Sequence, residues 1–164
     1  SQVLTMNTGA TAPEWADAAG GVVLQILSTS WSTAISTTTY TSQGLGDYTG
    51  FSLTITPKSS TSTILVQMTG QMKHNGGDSY GSINLASSLD SYASGLLGTR
   101  SQNHHFGNGT GDPYGFVGAT ATHSHSTSSA FTYRVYFSTH VGDTSYLNSP
   151  TGIPFTMVLT EFEN

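Results

Sequence analysis

Apolar and polar side chains alternate along several short stretches of the chain. The clearest stretch is residues 130–138, where every second position is aromatic or aliphatic: Phe131, Tyr133, Val135 and Phe137. Successive side chains of a β-strand point to opposite faces of the sheet, so this period of two predicts a strand with one face turned to a core. Residues 152–162 show the same pattern, with three side chains predicted to point inward: Phe155, Met157 and Leu159.

Shorter apolar runs predict further strands. Two of them, residues 51–55 and 64–68, flank a polar segment, 57–62, and we predict that they form a β-hairpin. The other candidate strands are residues 22–27, 31–40, 82–86 and, with a weaker pattern, 91–97. Short strands separated by turns rich in Gly and Ser favour an all-β fold, and we expect an antiparallel β-sandwich or jelly-roll-like domain.

The first 21 residues differ from this pattern. They contain turn-forming residues and Pro13 ahead of Trp15, which indicates an irregular segment whose Trp15 packs on another surface. We therefore divide the chain into an N-terminal connector, residues 1–21, and a β-sandwich head domain, residues 22–164. A head of this length lies in the usual size range of one domain.

The composition narrows the choice of partners. The 164 residues include 9 acidic and 4 basic side chains, for a net charge of −5, and we therefore exclude nucleic acid, whose phosphates must be neutralised by Lys and Arg. No run of 18 apolar residues occurs, so we expect no insertion into a membrane. Cysteine is absent, and disulfides cannot stabilise the fold. Small domains without them often gain stability from subunit contacts, so we expect an oligomer.

The sequence offers little for catalysis. Glycoside cleavage needs two carboxylates on either side of one bond, whereas the nine acids lie mainly in predicted turns or near the chain end, as Glu161 and Glu163 do. The Gly-x-Ser-x-Gly motif of a nucleophilic serine does not occur. We predict that the domain is not an enzyme.

Several segments resemble tail-fibre and virion-appendage proteins of marine phages, such as cyanophages and pelagiphages. The segment GFSLTITPKSSTSTILV (50–66) is followed by FTYRVY (131–136), SYLN (145–148) and TMVLTE (156–161), in the same order as in those proteins. The opening QVLTMN (2–7) and PEW (13–15) are similar to the connector that precedes their heads. The resemblance covers parts of the first third and the last quarter of the chain, and residues 71–129 match nothing in that family.

This resemblance implies a virion component on the extracellular face of a phage particle. It implies a homotrimer that recognises a glycan or a protein on the host-cell surface and contacts other virion proteins through its N-terminal connector. Two alternatives stay open. One is a structural virion module, either a capsid decoration or an assembly plug, and the other is a free carbohydrate-binding lectin domain.

Three long connections, residues 74–81, 98–114 and 120–129, are candidates for recognition, because long loops in compact domains are usually functional. Tyr and Arg are enriched in binding hot spots, and the first two loops carry such residues beside polar ones. We predict a receptor-binding site formed by His74, Asp78, Tyr80, Arg100, His104, His105, Phe106, Asp112 and Tyr114. A contact between subunits is the alternative for the same loops.

His123 and His125 are two positions apart. On a strand both imidazoles would point to one side, and three chains around an axis would offer six imidazoles, enough for an octahedral transition metal. The pattern resembles the His-x-His iron sites at the tips of phage fibres and spikes, although Ala121 stands where those sites usually have glycine. The two hypotheses are a transition metal held on the trimer axis by His123 and His125, and a solvated polar loop.

Overall fold

The described part of the chain is built from β-strands. A computed structural model describes residues 2–6, 13–17, 22–40, 45–75, 79–96, 104–106, 114–139, 142–148 and 153–164, and for 2–6, 13–17, 74–75, 79–80, 104–106 and 114 it describes the backbone alone. The strands are β1 (Gln2–Met6), β2 (Pro13–Asp17), β3 (Val23–Trp31), β4 (Ile35–Thr37), β5 (Asp47–Ile55), β6 (Thr63–Asn75), β7 (Ser79–Ser87), β8 (His104–Phe106), β9 (Tyr114–Ser124), β10 (Phe131–Thr139), β11 (Thr144–Leu147) and β12 (Phe155–Phe162). A single-turn 3-10 helix, Ser88–Asp90, follows β7. No helix in the described ranges is long and apolar enough to cross a membrane.

These strands form three antiparallel sheets. β1 pairs with β2, and a four-stranded sheet has the order β5-β10-β7-β8. The third sheet has the order β3-β12-β6-β11-β4, and β9 is its sixth strand. β6 is central in it, because β9 pairs along one edge while β12 and β11 share the other. The two larger sheets pack against each other as a sandwich, which confirms the predicted all-β class.

The alternating rows of β10 and β12 form the centre of the core. On β10 the inward side chains are at most 2% exposed, and they are Phe131, Tyr133, Val135 and Phe137. On β12 the inward side chains are fully buried, and they are Phe155, Met157 and Leu159. Both rows are as predicted. Complete burial of one such apolar side chain contributes roughly 1.5–3 kcal/mol, so these rows supply much of the energy that holds the sheets together.

Aromatic rings connect the two sheets at one place in this core. Phe51 on β5 of the smaller sheet stacks on Trp31 on β3 of the larger sheet, with 4.8 Å between the ring centroids. The ring of Phe51 also lies 5.7 Å from that of Phe155 on β12. Aromatic pairs at such distances add about 0.5–1.5 kcal/mol beyond their burial, so this contact helps to set how the sheets face each other.

The predicted hairpin of residues 51–55 and 64–68 is wrong. Residues 51–55 belong to β5, which pairs with β10, whereas residues 64–68 belong to β6 in the other sheet. Both segments alternate buried and more exposed positions, but alternation shows only that a strand has one buried face and does not identify its neighbour. The polar segment 57–62 therefore crosses from one sheet to the other.

A buried carboxylate, that of Glu161 on β12, holds this crossing segment. Its Oε1 accepts hydrogen bonds from Ser62 Oγ at 2.5 Å, from Lys58 N at 2.9 Å and from Ser59 N at 3.1 Å. Its Oε2 accepts from Gln25 Nε2 at 2.5 Å. Burial alone would raise the pKa of Glu161, but the hydrogen bonds outweigh burial and hold the pKa below its usual value. The charged carboxylate thus satisfies the backbone donors of the segment that joins the sheets.

The sequence pattern does not predict strand β9, Tyr114–Ser124. It predicts no strand at residues 114–119 and a loop from residue 120 onward. The inward side chains of β9 are small, and they are Val117, Ala119 and Ala121. Small side chains give a weak apolar signal, which explains why the alternation in β9 does not stand out. The predicted loop at 120–129 is correspondingly shorter, because the strand runs to Ser124.

The strand predicted at residues 91–97 is not present in the described residues of that segment. Ser91 and Tyr92 have left-handed backbone conformations, with φ of 58° and 61°, so the chain turns directly after the 3-10 helix. It then returns to β7, where Gly95 bridges to Ala86. A Cβ on Gly95 would lie 2.5 Å from the amide oxygen of Asn84, so a larger residue here would force the Asn84 side chain to move.

The N-terminal segment is more regular than predicted. β1 and β2 pair from Gln2 opposite Asp17 to Met6 opposite Pro13, which replaces the expected irregular lead-in by two paired strands. The side chain of Trp15 lies outside the described residues. The division into a connector and a head, and the connector's role, stay predictions.

Replacing Glu161 tests how the sheets are joined. Glu161→Ala leaves buried donors without an acceptor, which costs roughly 1–3 kcal/mol, so we expect the free energy of unfolding at pH 7 to fall by that amount in urea denaturation. Because the pKa of Glu161 is lowered in the folded state, its stabilisation is complete above the usual pKa of 4.5 and is lost as pH falls through the folded value. The wild-type and variant stabilities should therefore converge in acid.

Glu163→Ala is the matched control for this experiment. Glu163 is exposed near the end of the chain, and its replacement removes the same charge without removing a buried acceptor. Equal losses of stability in the two variants would contradict the structural role assigned to Glu161.

Candidate functional site

The structure describes only part of the predicted receptor-binding site. Asp78, Arg100 and Asp112 lie outside the described residues. For the other six the structure gives the backbone position: His74 on β6, Tyr80 on β7, His104, His105 and Phe106 on β8, and Tyr114 on β9. The role of these side chains in binding stays a prediction.

The backbone nevertheless shows which of these residues come together. Tyr80 on β7 is directly opposite His105 on β8, and residues opposite each other in an antiparallel pair are close neighbours. His74 and Tyr114 lie instead on neighbouring strands of the six-stranded sheet. Residues 74–81 are not one long loop, because the ends of β6 and β7 occupy most of them.

His123 and His125 share one face, as their spacing predicts. Both rings contact the ring of Phe131, with centroid distances of 6.0 Å for His123 and 5.2 Å for His125. The Nδ1 atom of His123 lies 2.9 Å from the hydroxyl oxygen of the buried Tyr133. The two imidazoles therefore pack against the core of their own chain.

Ser62 links His125 to Glu161 through hydrogen bonds. Its hydroxyl oxygen lies 2.5 Å from Glu161 Oε1 and 3.0 Å from His125 Nε2. A carboxylate only accepts hydrogen bonds and a hydroxyl carries one proton, so Ser62 donates to Glu161 and accepts from Nε2–H. The Nδ1 atom accepts from the backbone N–H of Thr127 at 3.5 Å. His125 therefore donates a hydrogen bond to the serine. In a nucleophilic serine–histidine pair the serine hydroxyl donates to the imidazole instead.

The surroundings of His123 favour its neutral form. Burial lowers the pKa of His123, the adjacent His125 lowers it further, and Asp90 acts in the opposite direction. Neutral imidazole is the form that binds metals. Within the described residues of one chain, no group of three His, Cys, Asp or Glu side chains could hold a metal ion. The axial metal, which needs three chains, stays a prediction.

The structure shows a cluster of side chains on the outer face of the four-stranded sheet that the sequence analysis does not predict as a site. Tyr136 on β10 is opposite Tyr48 on β5, and their rings are 5.8 Å apart. The guanidinium carbon of Arg134 lies 4.8 Å from the ring centroid of Tyr48 and 4.0 Å from that of Tyr92. We term Tyr48, Tyr92, Arg134 and Tyr136 the tyrosine–arginine face.

The carboxylates next to this face are engaged elsewhere. Asp47, which precedes Tyr48, accepts a hydrogen bond from Thr37 at 2.6 Å. Asp90, two residues before Tyr92, accepts hydrogen bonds from Ser94. Hydroxyl donors outweigh burial and lower the pKa of both carboxyls. No acidic side chain among the described residues forms an ion pair with the guanidinium, which instead contacts the two tyrosine rings.

The sequence pattern predicts the position of only two of the four residues of this face. Arg134 and Tyr136 lie on the outer row of a strand that is clearly predicted. Tyr48 and Tyr92 are far from them in sequence, and they reach Arg134 only through the pairing of β5 with β10 and the left-handed turn at Tyr92. Single-sequence reasoning has no means of finding that pairing.

A cavity of about 160 Å³ opens beside Tyr48. It is lined by Ile35, Ser36, Thr37, Asp47, Tyr48, Thr49 and Phe137. Small-molecule sites usually have volumes of about 300–1,000 Å³, so this cavity is too small for a typical organic ligand. The tyrosine–arginine face, of which Tyr48 is exposed and the other three residues are half-buried, is the alternative surface for a ligand.

No protein-family model and no curated protein matches the chain. Among solved structures, a chain from the structure of infectious bursal disease virus, Gx strain, is similar with a TM-score of 0.36 and 11% sequence identity. The similarity covers 98% of this chain and 41% of that one, so the present chain spans less than half of its length. A likeness at this level carries no argument about function.

The placement of His123 predicts how stability depends on pH. Its pKa is lowered in the folded state, so below the usual value of 6.5 the unfolded chain binds more protons, and the contribution of His123 to stability falls as pH drops from there towards the folded pKa. In an NMR titration the Hε1 signal of His123, assigned with His123→Gln, should have a midpoint below 6.5. A midpoint at or above that value would contradict the described packing against Tyr133.

Proposed function

We propose that this domain is the head of a phage tail fibre or related virion appendage, and that it recognises a glycan or a protein on the surface of the host cell. The resemblance of the segments that form β5, β10 and β12 to fibre proteins of marine phages supports a virion role. The observation that carries recognition is the tyrosine–arginine face on the outer side of the smaller sheet.

The chemistry of this face suits binding. Tyr and Arg are enriched in binding hot spots, and the Tyr48 side chain is 44% exposed. β10, which bears Arg134 and Tyr136, is paired on both edges, with β5 and with β7. The backbone of a strand held in this way loses little conformational entropy when its side chains bind a ligand, which favours affinity.

Adhesion to cells tests this proposal. Fluorescently labelled protein should adhere to at least one strain in a panel of marine bacteria. Removing two hot-spot rings in Tyr48→Ala/Tyr136→Ala should weaken adhesion by roughly tenfold or more, which corresponds to about 1.4 kcal/mol, with no loss of fold by circular dichroism.

Thr54→Ala/Thr132→Ala is the matched control, because these residues pair on the same two strands and outer face and their hydroxyls are 2.8 Å apart. Equal adhesion of the tyrosine variant and this control would count against the proposal. Absence of adhesion, together with cross-links from the face to another virion protein on intact particles, would favour the structural-module alternative.

We further propose that the head is a homotrimer whose subunits meet on the outer face of the six-stranded sheet. Ile26 is 62% exposed and Phe116 is 71% exposed on that sheet. Ile26 lies in a cross-strand row with Thr160, Leu65 and Thr122, and no member of the row is ionisable. Depletion of charged residues is typical of the centre of protein contacts, and a second copy would cover this row.

Light scattering after size exclusion measures the assembly directly. The wild-type protein should have a mass close to three times the 17.2 kDa of the chain, and Ile26→Asp/Phe116→Asp should shift it towards monomer, because charges would be buried in the contact. Leu89→Asp, at another apolar position that is 44% exposed, is the control and should remain trimeric. A monomeric wild-type protein would end the trimer proposal.

A further inference from the structure

The tyrosine–arginine face carries one positive charge, that of Arg134, on an acidic chain. Arg134 is one of only 4 basic residues in a protein of net charge −5. The neighbouring carboxylates of Asp47 and Asp90 are occupied by the hydroxyls of Thr37 and Ser94. An anionic group that reaches Arg134 therefore does not have to displace a carboxylate of the described chain.

The tyrosine rings hold the guanidinium while leaving its donors available. A cation–π contact uses the charge of the guanidinium and the face of the ring, whereas hydrogen bonds to an anion use its N–H groups. The rings of Tyr48 and Tyr92 contact Arg134 in this way. The planar fork is thus oriented in advance for bidentate hydrogen bonding to an anion.

The rest of the face suits a sugar ring. The rings of Tyr48 and Tyr136 are neighbours, tilted by 46° with 5.8 Å between their centroids, and each ring joins an apolar surface to a polar hydroxyl. A saccharide has the complementary arrangement, since the C–H groups of one ring face can pack on an aromatic ring while its hydroxyls form hydrogen bonds. Such a ring would lie within reach of the Arg134 fork.

From this geometry we propose that the tyrosine–arginine face binds an acidic saccharide, with its anionic group on the Arg134 guanidinium and a sugar ring against Tyr48 and Tyr136. This inference rests on the proposed function and names the ligand class of the same face. A single arginine on a chain of net charge −5 favours a glycan with isolated acidic groups over a polyanion, whose other charges would be repelled.

A microbial glycan array tests the ligand class. It should include capsular and O-antigen saccharides that carry carboxylates, others that carry sulfate esters, and neutral ones of similar backbone. We expect the wild-type protein to retain acidic glycans and to retain their neutral counterparts at least roughly tenfold more weakly, as for the loss of one charged hydrogen-bonded pair. The carboxylate and sulfate groups of the array identify which anion is bound.

Two variants assign this binding to the face. Arg134→Gln should reduce retention of acidic glycans by roughly tenfold or more, and Arg134→Lys should restore it only in part, because lysine keeps the charge and loses the planar fork. Lys58→Gln is the matched control, since it removes one positive charge at an exposed position outside the face and should bind as the wild type does. Thermal unfolding and light scattering confirm that each variant is folded and has the wild-type assembly.

Several outcomes would overturn the inference. They are retention of neutral glycans alone, no retention of any glycan, equal effects of Arg134→Gln and Lys58→Gln, or dissociation of the assembly by Arg134→Gln, which would make the face a subunit contact. If the protein still adheres to cells in these cases, the proposed function stands without this ligand. If it retains acidic glycans through Arg134 but adheres to no cell, the ligand class stands and host recognition does not.

Discussion

The period of two along β10 separates the inward side chains, which stabilise the domain, from the outward side chains of the proposed binding surface. Phe131, Tyr133, Val135 and Phe137 are packed between the sheets, and the intervening positions face outward. The chain has no cysteine, so the packing of such rows and the hydrogen bonds around them must hold the sandwich together. Because the same strand carries Arg134 and Tyr136, the backbone of the proposed recognition surface is held by the core.

A polar cluster closes one end of this sandwich. Glu161 links the segment that crosses between the sheets to β12, Ser62 connects Glu161 to His125, and the neighbouring His123 contacts Tyr133. Buried polar groups are costly unless their hydrogen bonds are satisfied. In this cluster the carboxylate, the hydroxyl and the imidazole of His125 each have hydrogen-bond partners, so their burial leaves none of these groups unsatisfied.

The parts of the fold that were predictable are those in which large side chains repeat with a period of two. β10 and β12 meet that condition, whereas β9 does not, because its inward residues are as small as Ala119 and Ala121. Strand partners were not predictable in the same way. The segments of β5 and β6 look like the two arms of a hairpin in sequence, and the two strands lie in different sheets.

In the candidate site, too, the direction of side chains was predictable and the pairing of strands was not. The shared face of His123 and His125 follows from their spacing alone. The contact of His125 with Ser62 depends on the long-range pairing of β9 with β6, and the contact of Arg134 with Tyr48 depends on the pairing of β10 with β5. Local pattern therefore identified where side chains point, and tertiary pairing decided which of them meet.

The most direct test of this account is an alanine scan along residues 131–139, in which melting temperature and adhesion to cells are measured for every variant. The account predicts that the melting temperature falls at the inward positions, and that adhesion falls at Arg134 and Tyr136 while the melting temperature there changes little. Losses of both properties at the same positions, or equal losses of stability on the two rows, would contradict the separation of core and recognition surface.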